Sequence, residues 1–299
     1  MYYMLDPLFD TLPSAAERMK GRGECVQGKL GGGRYAIVTL ISNFQMKYIE
    51  SAVVLIRSIK WFGKLPCDFE FIVYVLDTVT KQKSYLAHAS ILTDAGWKIQ
   101  VVPLIPPPEY VNSQTSEEKF LPMFSKLHVF NATSYRGILY LDSDVMVLGP
   151  ISELFTDYVT RMQEKKSYLA WVRDQPQTDF PGYNCGVMLV RPDATVFESL
   201  VKGRLEIKNY NHHWAEQGYM NEYFVRHRDE MLELPPRFNV LANIPTENTT
   251  LWKDLKQDVR ILHFTIVKPF FFLSPVACYV KKIMSFCSSW EYVRDAKPT

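Results

Sequence analysis

Between Tyr35 and Asp144 the chain alternates apolar, strand-like runs with segments of helical period, and this alternation limits the fold more than any other feature. "YAIVTL" is a short apolar run of the kind that forms a buried strand. "MKYIESAVVLIRSIK" follows, with Ile49, Ala52, Val53, Ile56 and Ile59 at helical spacing. "FEFIVYVL" repeats the strand signal, a polar helical stretch runs from Lys81 to Ala95, and "WKIQVVPL" supplies a third strand. "KFLPMFSKLHVFNA" reads as a helix leading into a fourth strand, "GILYLDSD". Strands separated by helices need crossover connections, which predicts an α/β fold with a mostly parallel, Rossmann-like sheet flanked by helices. Further on, "SYLAWV", "CGVMLVRP" and "VRILHF" read as strands, while "ATVFESLVKGRLE" and "AEQGYMNEYFVRH" read as helices. A single domain is expected over residues 35–299, behind a flexible, glycine-rich arm at residues 1–34.

Composition removes several function classes. A formal net charge of +2 is too small a basic excess for a nucleic-acid binder. No run reaches the ~20 apolar residues of a spanning helix, so no membrane span is expected. The start, "MYYMLDPLFD", has no basic segment followed by an apolar one, which argues against a secretory signal. Five scattered cysteines without a CxxC pair argue against a disulfide framework or a zinc site and fit a reducing, cytoplasmic location. The sequons at Asn131 and Asn248 are read as unused on the same ground. A near miss to a phosphate loop, Gly23, Gly28 and Lys29, ends in Leu30 instead of a hydroxyl residue and follows no strand, so it is a linker.

The acids of "GILYLDSDVMVLGP" remain to be explained. Neither Asp142 nor Asp144 is cheaply buried as an ion without a partner. In an open parallel sheet, ligands bind beyond the carboxyl ends of the strands, where this pair falls. Two carboxylates separated by one residue suit a shared magnesium or manganese ion, with a nucleotide diphosphate completing the shell. Alone the triplet is weak evidence, since roughly one is expected by chance in a chain this long. The alternative is a solvated turn after a buried strand. Downstream, "HFTIVKPF" places His263, a metal-ligand type, five residues before Lys268, a phosphate-partner type. Lys126 lies on the segment before the acid strand, and Asn184 and Gly186 open "NCGVMLV".

Taken in order, "YAIVTLISN", "FSKLHVF", "GILYLDSDVMVL", "YNCGVMLVRP", "EQGYMNEYF" and "HFTIVKP" resemble glycosyltransferase family 8, the retaining, glycogenin-like enzymes of GT-A fold. The resemblance implies a UDP-sugar donor and a manganese ion, magnesium being possible, held by Asp142, Asp144 and His263. It places Thr39, Leu40, Ser42 and Asn43 at the uridine, and Ser143 with its flanking acids beside the ribose. Lys268 is implied at the diphosphate and Lys126 near the donor sugar. Asn184 and Gln217 would line the sugar pocket, with Asp174 as the family's sugar-binding aspartate, while Gly186 allows a ligand to approach the backbone closely. Glu216 stands where glycogenins carry aspartate, so attack from the face the nucleotide leaves is favoured, with Glu216 as nucleophile the alternative.

Two departures shape the expectation. Ile266 replaces a glycine, one residue fewer precedes Lys268, and Phe270 stands for a tryptophan, so a shorter diphosphate loop is expected. The stretch where glycogenins carry their self-glucosylated tyrosine, "RFNVLANIPTENTTLWKDLKQDVRIL", has none, leaving Tyr219 and Tyr223 as conceivable substitutes. The expected acceptor is therefore a glycan on another protein. The resemblance extends to cytoplasmic α-galactosyltransferases that act on a ubiquitin-ligase adaptor subunit, which favours galactose over glucose. Self-glucosylating priming is the alternative, and a homodimer is expected from the family.

Overall fold

The computed structural model describes residues 33–112, 118–174, 182–265, 268–269, 290–291 and 293–295. A seven-stranded sheet runs in the order β3-β2-β1-β4-β7-β6-β8. Its members are β1 (Tyr35–Ile41), β2 (Glu70–Leu76), β3 (Lys98–Val102), β4 (Gly137–Leu141), β6 (Leu169–Arg173), β7 (Tyr183–Val190) and β8 (Met231–Leu234). β1 and β4 are buried at every residue, as their unbroken apolar runs require of central strands. Helix α1 (Met46–Phe62) buries Ile49, Ala52, Val53, Ile56 and Ile59, the stripe its period predicts. Helix α2 (Lys83–Ala95) ends at Gly96, whose left-handed φ of 104° is open to a residue without Cβ. Helices α3 (Ala194–Glu206) and α4 (Ala215–Arg226) also fall where the sequence predicts them.

The sheet is mixed at its second half. β1 pairs in parallel with β2 and β4, and β2 with β3, but β7 runs antiparallel to both β4 and β6. From β1 the chain steps outward through β2 and β3, then returns to lay β4 on the other side of β1. That reversal of strand order falls between β1 and β4, and in such sheets the crevice beyond the carboxyl ends at the reversal is the usual ligand position. The apolar runs predict β10 within "VRILHF" but not the second, three-stranded sheet that it joins, in the order β5-β10-β9, made of β5 (Val145–Val147), β9 (Val240–Leu241) and β10 (Ile261–His263). Strands of two or three residues carry too few side chains for a period to show.

One expectation is corrected and two are made more specific. The helix expected before the acid strand is a 3₁₀ helix over residues 118–131; Pro122, inside it, has no N–H to donate. β4 ends at Leu141, and the acids follow in the turn at its carboxyl end, where they are expected. Cys67 is disulfide-bonded, with its partner outside the described residues, which runs against five reduced thiols. Cys185 is free and buried. The arm before Gly33, the altered positions Ile266 and Phe270 and the aromatic tail "FFLSP" lie outside the described residues. No helix among the described residues is long and apolar enough to cross a membrane.

β5 is tied to α1 by Ser58, whose Oγ donates to Leu55 O at 2.7 Å and accepts from Val147 N at 3.0 Å, both buried. Ser58→Ala leaves the Val147 N–H without its partner, and a loss of about 1–3 kcal/mol is expected by urea denaturation.

Candidate active site

The turn after β4 is held from three sides. Asp142 N–H donates to Gly186 O on β7 at 2.8 Å, Phe264 N–H donates to Asp144 O at 3.0 Å, and Ser51 of α1 donates to Ser143 O. β5 leaves this turn and pairs antiparallel with β10, setting His263 opposite Val145. The imidazole thus arrives beside the acids, with His263 Nε2 3.4 Å from Asp144 Oδ1. One ligand atom each from Asp142, Asp144 and His263 fall within 4.8 Å of one another. Two carboxylates and an imidazole are a donor set for manganese or magnesium. The Lys268 ammonium pairs with Asp144 on the open side.

Each ligand has its own support. Tyr140, two residues before Asp142 and on the same face of β4, donates its hydroxyl to Asp142 Oδ1 at 2.7 Å. Lys126 Nζ reaches the same oxygen at 3.3 Å and Glu216 Oε1 at 2.8 Å. The Lys126 side chain is only 2% exposed and that of Glu216 8%. Burial pulls the ammonium of Lys126 down, but the Asp142 and Glu216 carboxylates outweigh it and raise it well above its usual value. Burial would raise Asp142, yet Lys126 lowers it below the usual carboxylate range. Burial raises Glu216 and the Tyr140 phenol, and lowers His263, which favours the neutral imidazole that ligates metals.

Beside the acids lies a second, amide-rich cluster. Asp174 Oδ2 accepts from Asn184 Nδ2 at 3.3 Å and from Gln217 Nε2 at 3.2 Å. Gln217 Oε1 accepts from Cys185 N at 3.1 Å. Gly186 lies where the His263 ring packs: a Cβ there would overlap the imidazole, so glycine is needed for the close approach. Glu216 and Gln217 open α4, and Ala215 before them adopts a φ of 41°.

Ten of the expected site residues therefore meet around one crevice: Asp142, Ser143, Asp144, Lys126, Lys268, His263, Asn184, Gly186, Glu216 and Gln217, with Asp174 bonded to two of them. The expected uridine loop is divided. Thr39 and Leu40 are buried in β1, and Thr39 Oγ1 has no hydrogen-bond partner among the described residues. Ser42 is half-buried and Asn43 exposed past the end of β1, where Asn43 Oδ1 accepts from Gln45 N at 3.1 Å. Two supporting residues escaped the sequence reading. Tyr140 was legible from its place two before Asp142 in an alternating strand; Asn239, a lone amide between Phe238 and Val240, carried no motif.

Comparison with known proteins bears on this arrangement. The model of "Glycosyl transferase family 8" matches residues 39–271. The chain is 27% identical over 235 residues to the Arabidopsis thaliana UDP-glucuronate:xylan alpha-glucuronosyltransferase 2, covering 76% of this chain and 32% of that protein. It is 26% identical over 239 residues to the glycogenin of Komagataella phaffii, covering 74% of this chain and 54% of that one. The chain spans about a third of the length of the curated glucuronosyltransferases it matches. Among solved structures, the bifunctional glycosyltransferase WbbM superposes with a TM-score of 0.60 at 15% identity, over 91% of this chain and 51% of that one. The architecture is the GT-A fold.

Lys126→Met would strand the Glu216 carboxylate in a buried site. A destabilisation of about 3–5 kcal/mol is expected by chemical denaturation, and Glu216→Gln in the same chain should recover part of it.

Proposed function

The chain belongs to glycosyltransferase family 8, and from that premise we propose that it moves a hexose from a UDP-sugar to a glycan acceptor with retention at the anomeric carbon, in a manganese-dependent reaction. The observation that carries the proposal is the meeting of Asp142, Asp144 and His263 at the strand-reversal crevice. Manganese, or magnesium in its place, would be held by those three side chains and would stabilise the negative charge of the departing UDP. Lys268, whose ammonium pairs with Asp144, would meet the diphosphate.

The other residues position the donor sugar and keep charge fixed. Asn184, Asp174 and Gln217 form one hydrogen-bonded wall, and Lys126 ties Glu216, the chain neighbour of Gln217, to Asp142. The Glu216 carboxylate is engaged with the Lys126 ammonium, which makes it a poor nucleophile. This favours attack by the acceptor on the face the nucleotide leaves, with catalysis coming from positioning and charge stabilisation. Galactose and then glucose are the favoured donors. A uronic acid would bring a further carboxylate towards Asp174 and Glu216, although relatives named as glucuronosyltransferases make it the third arm of any donor screen.

Self-glucosylation is the competing reading. Tyr219 and Tyr223 are buried, donating to Leu200 O at 2.6 Å and to Ser199 Oγ at 2.9 Å, which favours a separate acceptor. A cytoplasmic acceptor, such as a glycan on a ubiquitin-ligase adaptor subunit, follows from the resemblance. A homodimer is part of the same proposal, with sedimentation as its test.

With UDP-galactose, UDP-glucose and UDP-glucuronate as donors, UDP release should require manganese and peak with a neutral hexose. Asp142→Ala and Asp144→Ala should each lower it by at least about 100-fold; full activity in both would remove the metal assignment. Intact mass after incubation with UDP-glucose and manganese should stay unchanged, whereas added hexose units would establish priming.

A further inference from the structure

The side-chain orientations around His263 can be deduced in sequence from one backbone group. The N–H of Gly186 is a donor without ambiguity, and it lies 2.9 Å from the Asn184 amide atom Oδ1. That atom is therefore the amide oxygen, and Asn184 Nδ2 faces Asp174 Oδ2 at 3.3 Å. The same Asn184 oxygen lies 2.9 Å from the side chain of Asn239, which must present Nδ2 to it. Asn239 Oδ1 is then the end that lies 3.1 Å from His263 Nδ1. An amide oxygen only accepts, so the hydrogen of the neutral ring sits on Nδ1. Nε2 is left with its lone pair towards Asp144 Oδ1, 3.4 Å away. Two acceptors at that separation are joined favourably by a cation between them.

We infer that Asn239 is the positioning residue of this site: it holds His263 as the Nδ1–H tautomer and so presents Nε2 to the metal. The inference rests on the reading of Asp142, Asp144 and His263 as a metal site. Asn239 is suited to the task by its own constraints. It is 1% exposed, and its N–H donates to Pro236 O at 3.0 Å. It directly precedes β9, whose Leu241 pairs with His263 in a parallel ladder. The backbone of the small sheet thus sets amide and imidazole side by side. Gly186 serves the same arrangement twice, once by its N–H and once by leaving room for the ring. The chain of amides continues through Asn184 to Asp174 and Gln217, so the metal ligand and the proposed sugar wall share one hydrogen-bonded unit.

The test uses the full chain, titrated with manganese chloride by calorimetry, together with imidazole ¹⁵N spectra of the metal-free protein. Wild type should show His263 with a protonated Nδ1. Asn239→Ala should bind manganese about 10–100-fold more weakly and show mixed tautomers. Asn239→Asp keeps an acceptor at Nδ1, so it should retain the tautomer and bind manganese within a few-fold of wild type, even where losing the bond to Asn184 lowers its melting temperature. The inference is overturned if Asn239→Ala binds manganese as wild type does, or if wild-type His263 carries its proton on Nε2. It is equally overturned if Asn239→Asp shows mixed tautomers, a result that stands should the alanine variant not fold. A wild type that binds no manganese would instead remove the metal reading itself, while the ¹⁵N spectra would still decide the tautomer.

Discussion

Burying an ammonium group costs several kcal/mol unless carboxylates surround it, and the two around Lys126 come from different parts of the chain. Asp142 follows β4 and Glu216 opens α4, and both lie within 3.3 Å of the same nitrogen. Lys126 itself sits on the 3₁₀ segment that precedes β4. Three elements must therefore meet correctly before the charge is satisfied, because a lysine left there alone would be expelled. The stacking of its ammonium 5.2 Å from the Tyr140 ring centroid adds a further favourable contact on the same strand. One buried cation thus fixes the relative position of the metal turn and of the helix that carries Glu216 and Gln217.

The second sheet does for His263 what Lys126 does for Asp142. Its three strands are too short to be stable alone, but β5 is the direct continuation of the acid turn and packs under α1 through Ser58. β10 pairs with it antiparallel and β9 parallel, so residues distant in sequence become neighbours at a fixed register. A slip of one residue in β10 would turn the imidazole away from the acids. Val145, Val147, Ile261 and Leu262 are all buried, so such a slip would also force both covered faces of the small sheet to repack.

Much of this was readable before the structure. The parallel half of the sheet follows from unbroken apolar runs, and α1, α3 and α4 from their period. Asp142 and Asp144 stand out because they interrupt an apolar segment, whereas His263 and Lys126 are drawn in by likeness of motif; read alone, Lys126 is a surface lysine, and the structure buries it. Asn239 was not found, since its role depends on which amide faces which ring across two strands of two and three residues. Thr39 and Leu40 were assigned to the nucleotide by likeness of motif, and the structure encloses both side chains in β1. The Cys67 disulfide was invisible for a related reason: pairing depends on separation in space, and four cysteines other than Cys67 gave no spacing to read.

The geometry of Glu216 bears on why a carboxylate stands in the crevice at all. Ala215, directly before it, has φ 41° and ψ −122° and is buried, a backbone state that costs a residue with a Cβ on the order of 1–3 kcal/mol. Such a kink survives only where surrounding contacts demand it. Here it begins α4 so that Glu216 lies in the first turn, where the helix dipole favours a negative charge, and its oxygen reaches Lys126 at 2.8 Å. Burial raises the basicity of this carboxylate, but its oxygen is committed to the Lys126 ammonium and not open towards an anomeric carbon. The same contacts leave it well suited to hold Lys126, and through Lys126 the Asp142 carboxylate, in place. Glu216 is thus bound into a charged unit with Lys126, and the strain at Ala215 is the backbone's cost of placing it there.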